Sequence, residues 1–314
     1  MNTGAKGGDH GFLADPLRPL PVDWKPQERM ANYTSLLVGG PADMIVVREL
    51  EALPEVVGVL ARHGVPWRLL GGGTNLLVAD EGLSSVVVRL APERDGVKIE
   101  GGLAEISATA SLGQSVTYCA KRNLGGVEGL VGVPGTVGGA LRMNAGAYGT
   151  EIGDYIQSVR VFRGSTGNIE TILPGSYESG EIRFEYRHSS FAPDDVMLSV
   201  TLELAERPFA EIVEKIKQCN RKRRSSQPIN QKSAGCIFKN APGLSTGKLI
   251  DEQGMKGREV GGAMISDRHA NFIVNRGGAK AADIFRLMDM IREKLLKAYQ
   301  VELEEEVIVW RDPV

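Results

Sequence analysis

The chain has 314 residues, 42% hydrophobic, 24% charged and 6% aromatic, and 37 Lys plus Arg stand against 39 Asp plus Glu for a net charge of −2. That length suits two or three domains with a sizeable core, and so balanced a charge excludes the global basic field of a dedicated nucleic-acid binder. Cys119, Cys219 and Cys236 form no CxxC pair, which excludes a zinc ribbon or a disulfide scaffold.

Residues 1–30 are rich in glycine and proline and are expected to form an irregular N-terminal extension. It has no signal-peptide pattern, and no apolar run approaches the roughly 18 residues of a membrane span, so a cytoplasmic chain is expected. Residues 43–47 then read as a strand. Residues 53–63 read as a helix, with Val56, Val57 and Leu60 on one face. A strand at 67–70 runs straight into three glycines, a βαβ unit that delivers backbone amides at a strand end. A strand at 84–90 completes a first unit over 31–90.

From about residue 91 the pattern changes. Short strands are expected at 97–100 and 105–110, a helix at 111–122, and strands at 158–163, 169–173 and 197–206. A glycine-dense stretch, 125–149, interrupts them, and the region 91–206 reads as α+β with an antiparallel sheet. Pro208 opens a helix carrying Phe209, Ile212, Val213 and Ile216 on one face and ending at Arg221 to Arg224. Another helix is expected at 281–299, in a last domain spanning 207–314.

Glycine is the compositional outlier, at 39 of 314 residues. Gly71, Gly72 and Gly73 let successive N–H groups converge on an anion, and Thr74 and Asn75 add side-chain donors. The dinucleotide fingerprint GxGxxG is absent. In the second loop Pro134, Gly135, Thr136, Gly138 and Gly139 are followed by Asn144, Ala145 and Gly146. Such density suits a flat cofactor lying on exposed backbone, and two such loops favour a large phosphate-bearing ligand. The segment from Gly243 to Lys248 fails as a P-loop by one residue of spacing, with Leu249 in place of a hydroxyl. The basic run Arg221 to Arg224 reads as a helix C-terminus or a diphosphate contact. The four histidines, among them His188 and His269 in polar loops, show no metal spacing, so no metal is expected.

Together these segments resemble the UDP-N-acetylenolpyruvoylglucosamine reductase family, from about Thr34 to Val307. The resemblance rests on TSLLVGGPA (34–42), LGGGTNLLV (70–78), GVPGTVGGALRMNAGAYG (132–149), YRHSSF (186–191), SAGCIFKN (233–240), HANFIVN (269–275) and LEEEV (303–307). It implies an α+β chain with a vanillyl-alcohol-oxidase-type FAD-binding fold in two subdomains plus an α+β substrate-binding domain. Non-covalent FAD would lie between the two glycine loops, GGGTN holding the pyrophosphate. NADPH would be the reductant of an enolpyruvyl ether carried by a UDP-sugar, in peptidoglycan precursor synthesis, with no protein partner required.

The resemblance also implies the site. Arg187, Cys236 and Glu306 match the family's three functional places. The chemistry needs a fork for the substrate carboxylate, an acid that stabilises developing charge and a proton donor. Many relatives carry serine where Cys236 stands, and a thiol, with a reference pKa near 8.5, is a far stronger acid than an alcohol. Tyr186, Arg224, Asn240 and His269 match places near substrate. Positions 187 and 236 lie only 49 apart, like the compact form that lacks an inserted tyrosine loop. An FAD-dependent oxidase of the same superfamily acting on another sugar or alcohol is the competing expectation, and a flavin-binding module without turnover is a third.

Overall fold

Val86, Val87 and Val88 follow one another without a polar break because the strand Val86–Leu90 is covered on both faces. In the computed structural model, which describes residues 8–93, 96–173, 182–241 and 243–312, this strand is central in a four-stranded sheet. Pro41–Val47 and Trp67–Leu70 pair with it in parallel on either side. The helix Leu53–Arg62 makes the crossover, burying Leu53, Val56, Val59 and Leu60.

The stretch expected to be an irregular extension is part of this unit. Residues 1–7 lie outside the described residues, but Leu13 and Leu17 are fully buried in the same core as Leu53 and Val56. Val22–Arg29 is an edge strand, antiparallel to Pro41–Val47, with a register shift between Lys25 and Glu28. Pro26 hides this strand in the sequence: proline lacks a ladder donor and is tolerated only at an edge or a bulge, and it has both here. Buried Asp43 fastens the segment. Its carboxylate accepts from the N–H groups of Gln27 (2.8 Å) and His10 (2.9 Å).

The second unit is a five-stranded antiparallel sheet in the order Ile169–Ile172, Ile156–Phe162, Val196–Glu203, Leu103–Ser107, Val97–Glu100. The helices Leu112–Ala120 and Val137–Arg142 pack their apolar sides into its core.

The third unit holds a smaller antiparallel sheet, Lys232–Cys236, Phe272–Asn275, Ala263–Ile265 and Glu259–Val260. It is flanked by the helices Thr246–Glu252 and Ala281–Tyr299, while Phe209–Ser226 packs against Leu112–Ala120 and the turn Glu128–Leu130 of the second unit. It does not end where it began. Ile308–Trp310 returns to pair in parallel with Leu76–Val78 of the first unit. Leu36, Val38 and Leu77 share one core with Ile284, Leu287 and Ile291. Asp80 accepts from the N–H groups of Ala281 (2.9 Å) and Ala282 (3.0 Å), capping a helix of another unit.

Candidate active site

Arg187, Glu306 and Cys236, far apart in sequence, meet. Arg187 Nε donates to Glu306 Oε1 at 2.9 Å and Nη2 to the Gly146 carbonyl at 3.0 Å. Arg187 has φ +54, a left-handed backbone that a non-glycine residue holds only when its surroundings impose it. Buried Asn144 is part of what imposes it. Its Nδ2 donates to the Glu185 carbonyl (3.0 Å) and to Glu151 (2.7 Å), and its Oδ1 accepts from the Gly153 N–H (3.0 Å). Asn144 therefore braces the turn that carries Arg187 and has no side-chain donor left over for a ligand.

Cys236 ends the strand Lys232–Cys236, whose register shifts against Phe272–Asn275 between Ser233 and Cys236. Gly235 has φ +78, so the shift is a bulge at a position that favours glycine, and it re-aims the thiol. Two residues on, the chain ladders onto the segment bearing Glu306. The Glu306 N–H donates to the Ile237 carbonyl (2.8 Å) and the Lys239 N–H to the Glu304 carbonyl (2.9 Å). Thiol and carboxylate are thus fixed relative to each other by backbone.

Cys236 is only half-buried, yet desolvation by the surrounding protein pushes its thiol up to about 12, with the Glu306 charge adding and Arg187 and Arg223 opposing. The reference acidity of a free thiol does not apply: the group stays protonated. Burial also raises the Glu306 carboxyl above its ordinary range, against the pull of Arg187 and, farther off, Lys239.

The two glycine loops touch. A Cβ on Gly72 would lie 3.0 Å from Gly135 Cα, and one on Gly73 would lie within 1.9 Å of the Tyr33 carbonyl. Among the described residues the N–H groups of Gly72, Gly73 and Thr74 have no protein acceptor. The side chains expected to add donors are committed elsewhere. Thr74 Oγ1 donates to the Pro134 carbonyl (3.1 Å), and Asn75 Nδ2 to the Glu306 carbonyl (2.9 Å). Gly138 and Ala145 serve the fold. Gly138 packs on Ala108, and the Ala145 N–H bonds the Ala140 carbonyl. The Gly139 N–H reaches the N-cap hydroxyl of Thr136. The backbone of 72–74 and of Gly135, with φ +117, forms the open cradle.

Arg224 is not brought into the site: its side chain is exposed and its carbonyl accepts from Arg268. The neighbouring Arg223 is. It lies under Gly132, whose added Cβ would meet its Nε at 2.8 Å, and beside Tyr148, itself left-handed at φ +54. Arg223 Nε and the Tyr148 hydroxyl are buried without a hydrogen-bond partner among the described residues. The sequence carried a signal for this. Positions 212, 216, 219 and 223 fall on one helical stripe, which contains buried Ile212 and Cys219, and Arg224 lies a step off it.

Asn240 and His269 converge on the start of the helix Thr246–Glu252. Asn240 Oδ1 accepts from the Thr246 N–H (3.1 Å), and the His269 ring lies under Gly247. Burial, then Lys256, lowers His269, which keeps it neutral. Ser245 caps that helix through the Lys248 N–H, which explains the failed phosphate-loop pattern. Tyr186 is exposed and stacks against the Arg187 guanidinium at 5.0 Å, and His188 is exposed beside them. Among the described residues no three or more His, Cys, Asp or Glu side chains are grouped to hold a metal ion, and no helix is long and apolar enough to cross a membrane.

Residues 227–310 match the family described as UDP-N-acetylenolpyruvoylglucosamine reductase, C-terminal domain, and residues 41–172 match FAD binding domain. The reductase of that name from Thermus thermophilus is 41% identical over 278 residues, 88% of this chain and 97% of its own length. That of Moorella thermoacetica is 40% identical over 284 residues, 90% of this chain and 92% of its own. The crystal structure of the enzyme from Thermus caldophilus superposes with a TM-score of 0.80 at 40% identity, covering 92% of this chain and all of that one.

Proposed function

Because the chain belongs to the UDP-N-acetylenolpyruvoylglucosamine reductase family, we propose a division of labour among its own side chains. The protein is a UDP-N-acetylmuramate dehydrogenase, an FAD flavoprotein that acts on a UDP-sugar in peptidoglycan precursor synthesis. Its fold is the FAD-binding α+β type with the family's C-terminal domain. A cytoplasmic setting, with small molecules as the only partners required, completes the reading.

The residues present fit FAD. Unpaired N–H groups at 72–74 suit a pyrophosphate, and the close approach of Gly72 to Gly135 leaves bare backbone that a side chain would fill. Gly71, Gly72, Gly73, Gly135 and Thr136 are the residues we assign to hold it. Thr74 and Asn75 tie that loop to Pro134 and Glu306. When bound, FAD supplies the hydride relay between NADPH and the enolpyruvyl carbon.

The chain's own groups do the rest. Arg187 grips the substrate carboxylate with a planar fork and so orients the vinyl group. Glu306, beside it, stabilises the charge that develops on that carboxylate as its α-carbon accepts electron density. Cys236 holds a proton on sulfur and delivers it to the α-carbon. Arg223, with Tyr148 beside it, offers an unpaired Nε near that thiol. Asn240 and His269 present a neutral polar surface to the UDP end.

The observation that carries this reading is the meeting of Arg187, Glu306 and Cys236 beside the glycine cradle. The test is NADPH oxidation by the purified yellow protein, with and without the enolpyruvyl UDP-sugar under anaerobic conditions. Stoichiometric UDP-N-acetylmuramate is expected. Oxidation that instead needs oxygen and a hydroxyl substrate would favour the oxidase.

A further inference from the structure

Arg187 and Glu306 must both serve the substrate, yet in the free chain they serve each other. The Nε–Nη2 edge is the side of the guanidinium that grips a carboxylate with two parallel bonds. Here Nε is taken by Glu306 and Nη2 by the Gly146 carbonyl. A substrate carboxylate arriving at this edge must displace Glu306. One arriving at the other edge sets two carboxylates on one cation. The first outcome removes the counter-charge of Glu306 and the second makes it shared, and both place a negative group beside Glu306.

The remaining surroundings offer no substitute. Lys239 faces Glu306 from the strand side, but its Nζ is bound to Glu304 at 2.6 Å. Arg292 is committed to Glu305 and Asp289. Cys236 is an uncharged thiol, and Arg223 stands on the thiol rather than on the carboxylate. Burial already favours the neutral acid, and Arg187 is the main force against it. Removing that force and adding a like charge act in the same direction.

We propose that Glu306 rests as a carboxylate paired with Arg187 and takes up a proton from solvent when the substrate carboxylate claims that arginine. Binding thereby converts a spectator ion pair into a neutral acid that can donate a hydrogen bond to the substrate. No oxidant or reductant enters this step; one proton moves from water to a carboxylate oxygen. The inference rests on the reading of function above and adds to it a binding-linked change of protonation.

The experiment is calorimetric titration of the FAD-loaded enzyme with UDP-N-acetylmuramate, without NADPH, near pH 8 in two buffers of different protonation enthalpy. The dependence of apparent heat on buffer gives the protons exchanged, and uptake of about one per site is expected. Glu306→Gln should bind the same ligand with no uptake. UDP-N-acetylglucosamine, which lacks the carboxylate, should bind the wild type without uptake. Binding of UDP-N-acetylmuramate with no proton exchange, or equal uptake in Glu306→Gln, overturns the inference. An enzyme that turns over the enolpyruvyl substrate but shows no uptake fails this inference alone; one with no turnover fails the reading of function instead.

Discussion

Cys236 shows how far burial can move a side chain from its reference chemistry. The motif SAGC was legible in the sequence; the state of its thiol was not, because that depends on Glu306, 70 positions on, and on desolvation. At about 12 the thiol has roughly a thousandfold fewer thiolates at pH 8 than a free cysteine. Cys119, raised to about 11 by burial, is similarly inert. Native protein at pH 8 should therefore react with iodoacetamide at Cys236 far more slowly than a model thiol, by about tenfold or more, as peptide mapping would show. Modification of Cys236 at the free-thiol rate contradicts the burial argument. Arg187 carries a second prediction. Arg187→Lys keeps the charge but loses the fork, so turnover of the enolpyruvyl substrate should fall by about 10- to 100-fold, as one bidentate bond is lost. Bleaching of the flavin by NADPH should persist. Unchanged turnover removes Arg187 from the site.

At the scale of elements, hydrophobic period located most strands and helices. The strand Trp67–Leu70 and the helix Ala281–Tyr299 stand where the apolar pattern set them. Several elements escaped it, among them the strands Lys232–Cys236, Ala263–Ile265 and Phe272–Asn275, and two of the others show why. Val22–Arg29 was masked by Pro26, and the return of Ile308–Trp310 to Leu76–Val78 is a long-range pairing that no local pattern encodes. The glycine density of the two loops was legible, but the division of labour within them was not. Thr74 and Asn75 read as donors to a ligand and Asn144 as part of the second ligand loop, and the structure uses their side chains to bind loops together. Gly72→Val should expel FAD, because its branched side chain would enter the space beside Gly135. Gly135→Val should do the same, since φ +117 strains any side chain. Flavin per chain, read from the absorption spectrum after gel filtration, should drop severalfold in both. Full occupancy in both variants contradicts the cradle assignment.

At the scale of the molecule, Arg187, Cys236 and Glu306 meet because three units are joined by a shared core, a returning strand and a helix cap. Asp80 of the first unit caps the helix Ala281–Tyr299 of the third with two hydrogen bonds. Asp80→Ala should destabilise by about 0.5–2 kcal/mol, a fall of a few degrees in Tm for a chain of this size. The flavin spectrum should be unchanged; an unaltered Tm denies the clasp. Arg187 comes from the second unit, Cys236 from the third and Glu306 from the segment leading into the returning strand, so the sequence could name the three but only the fold could join them. The claim that they form one reducing site is tested most directly by stopped-flow absorbance with each enzyme pre-reduced by one equivalent of NADPH under anaerobic conditions. On adding the enolpyruvyl substrate, Cys236→Ala should recover flavin absorbance about 10²- to 10⁴-fold more slowly than wild type, while Cys236→Ser should recover at a substantial rate. Recovery of the alanine variant within a few-fold of wild type would mean that another group delivers the proton.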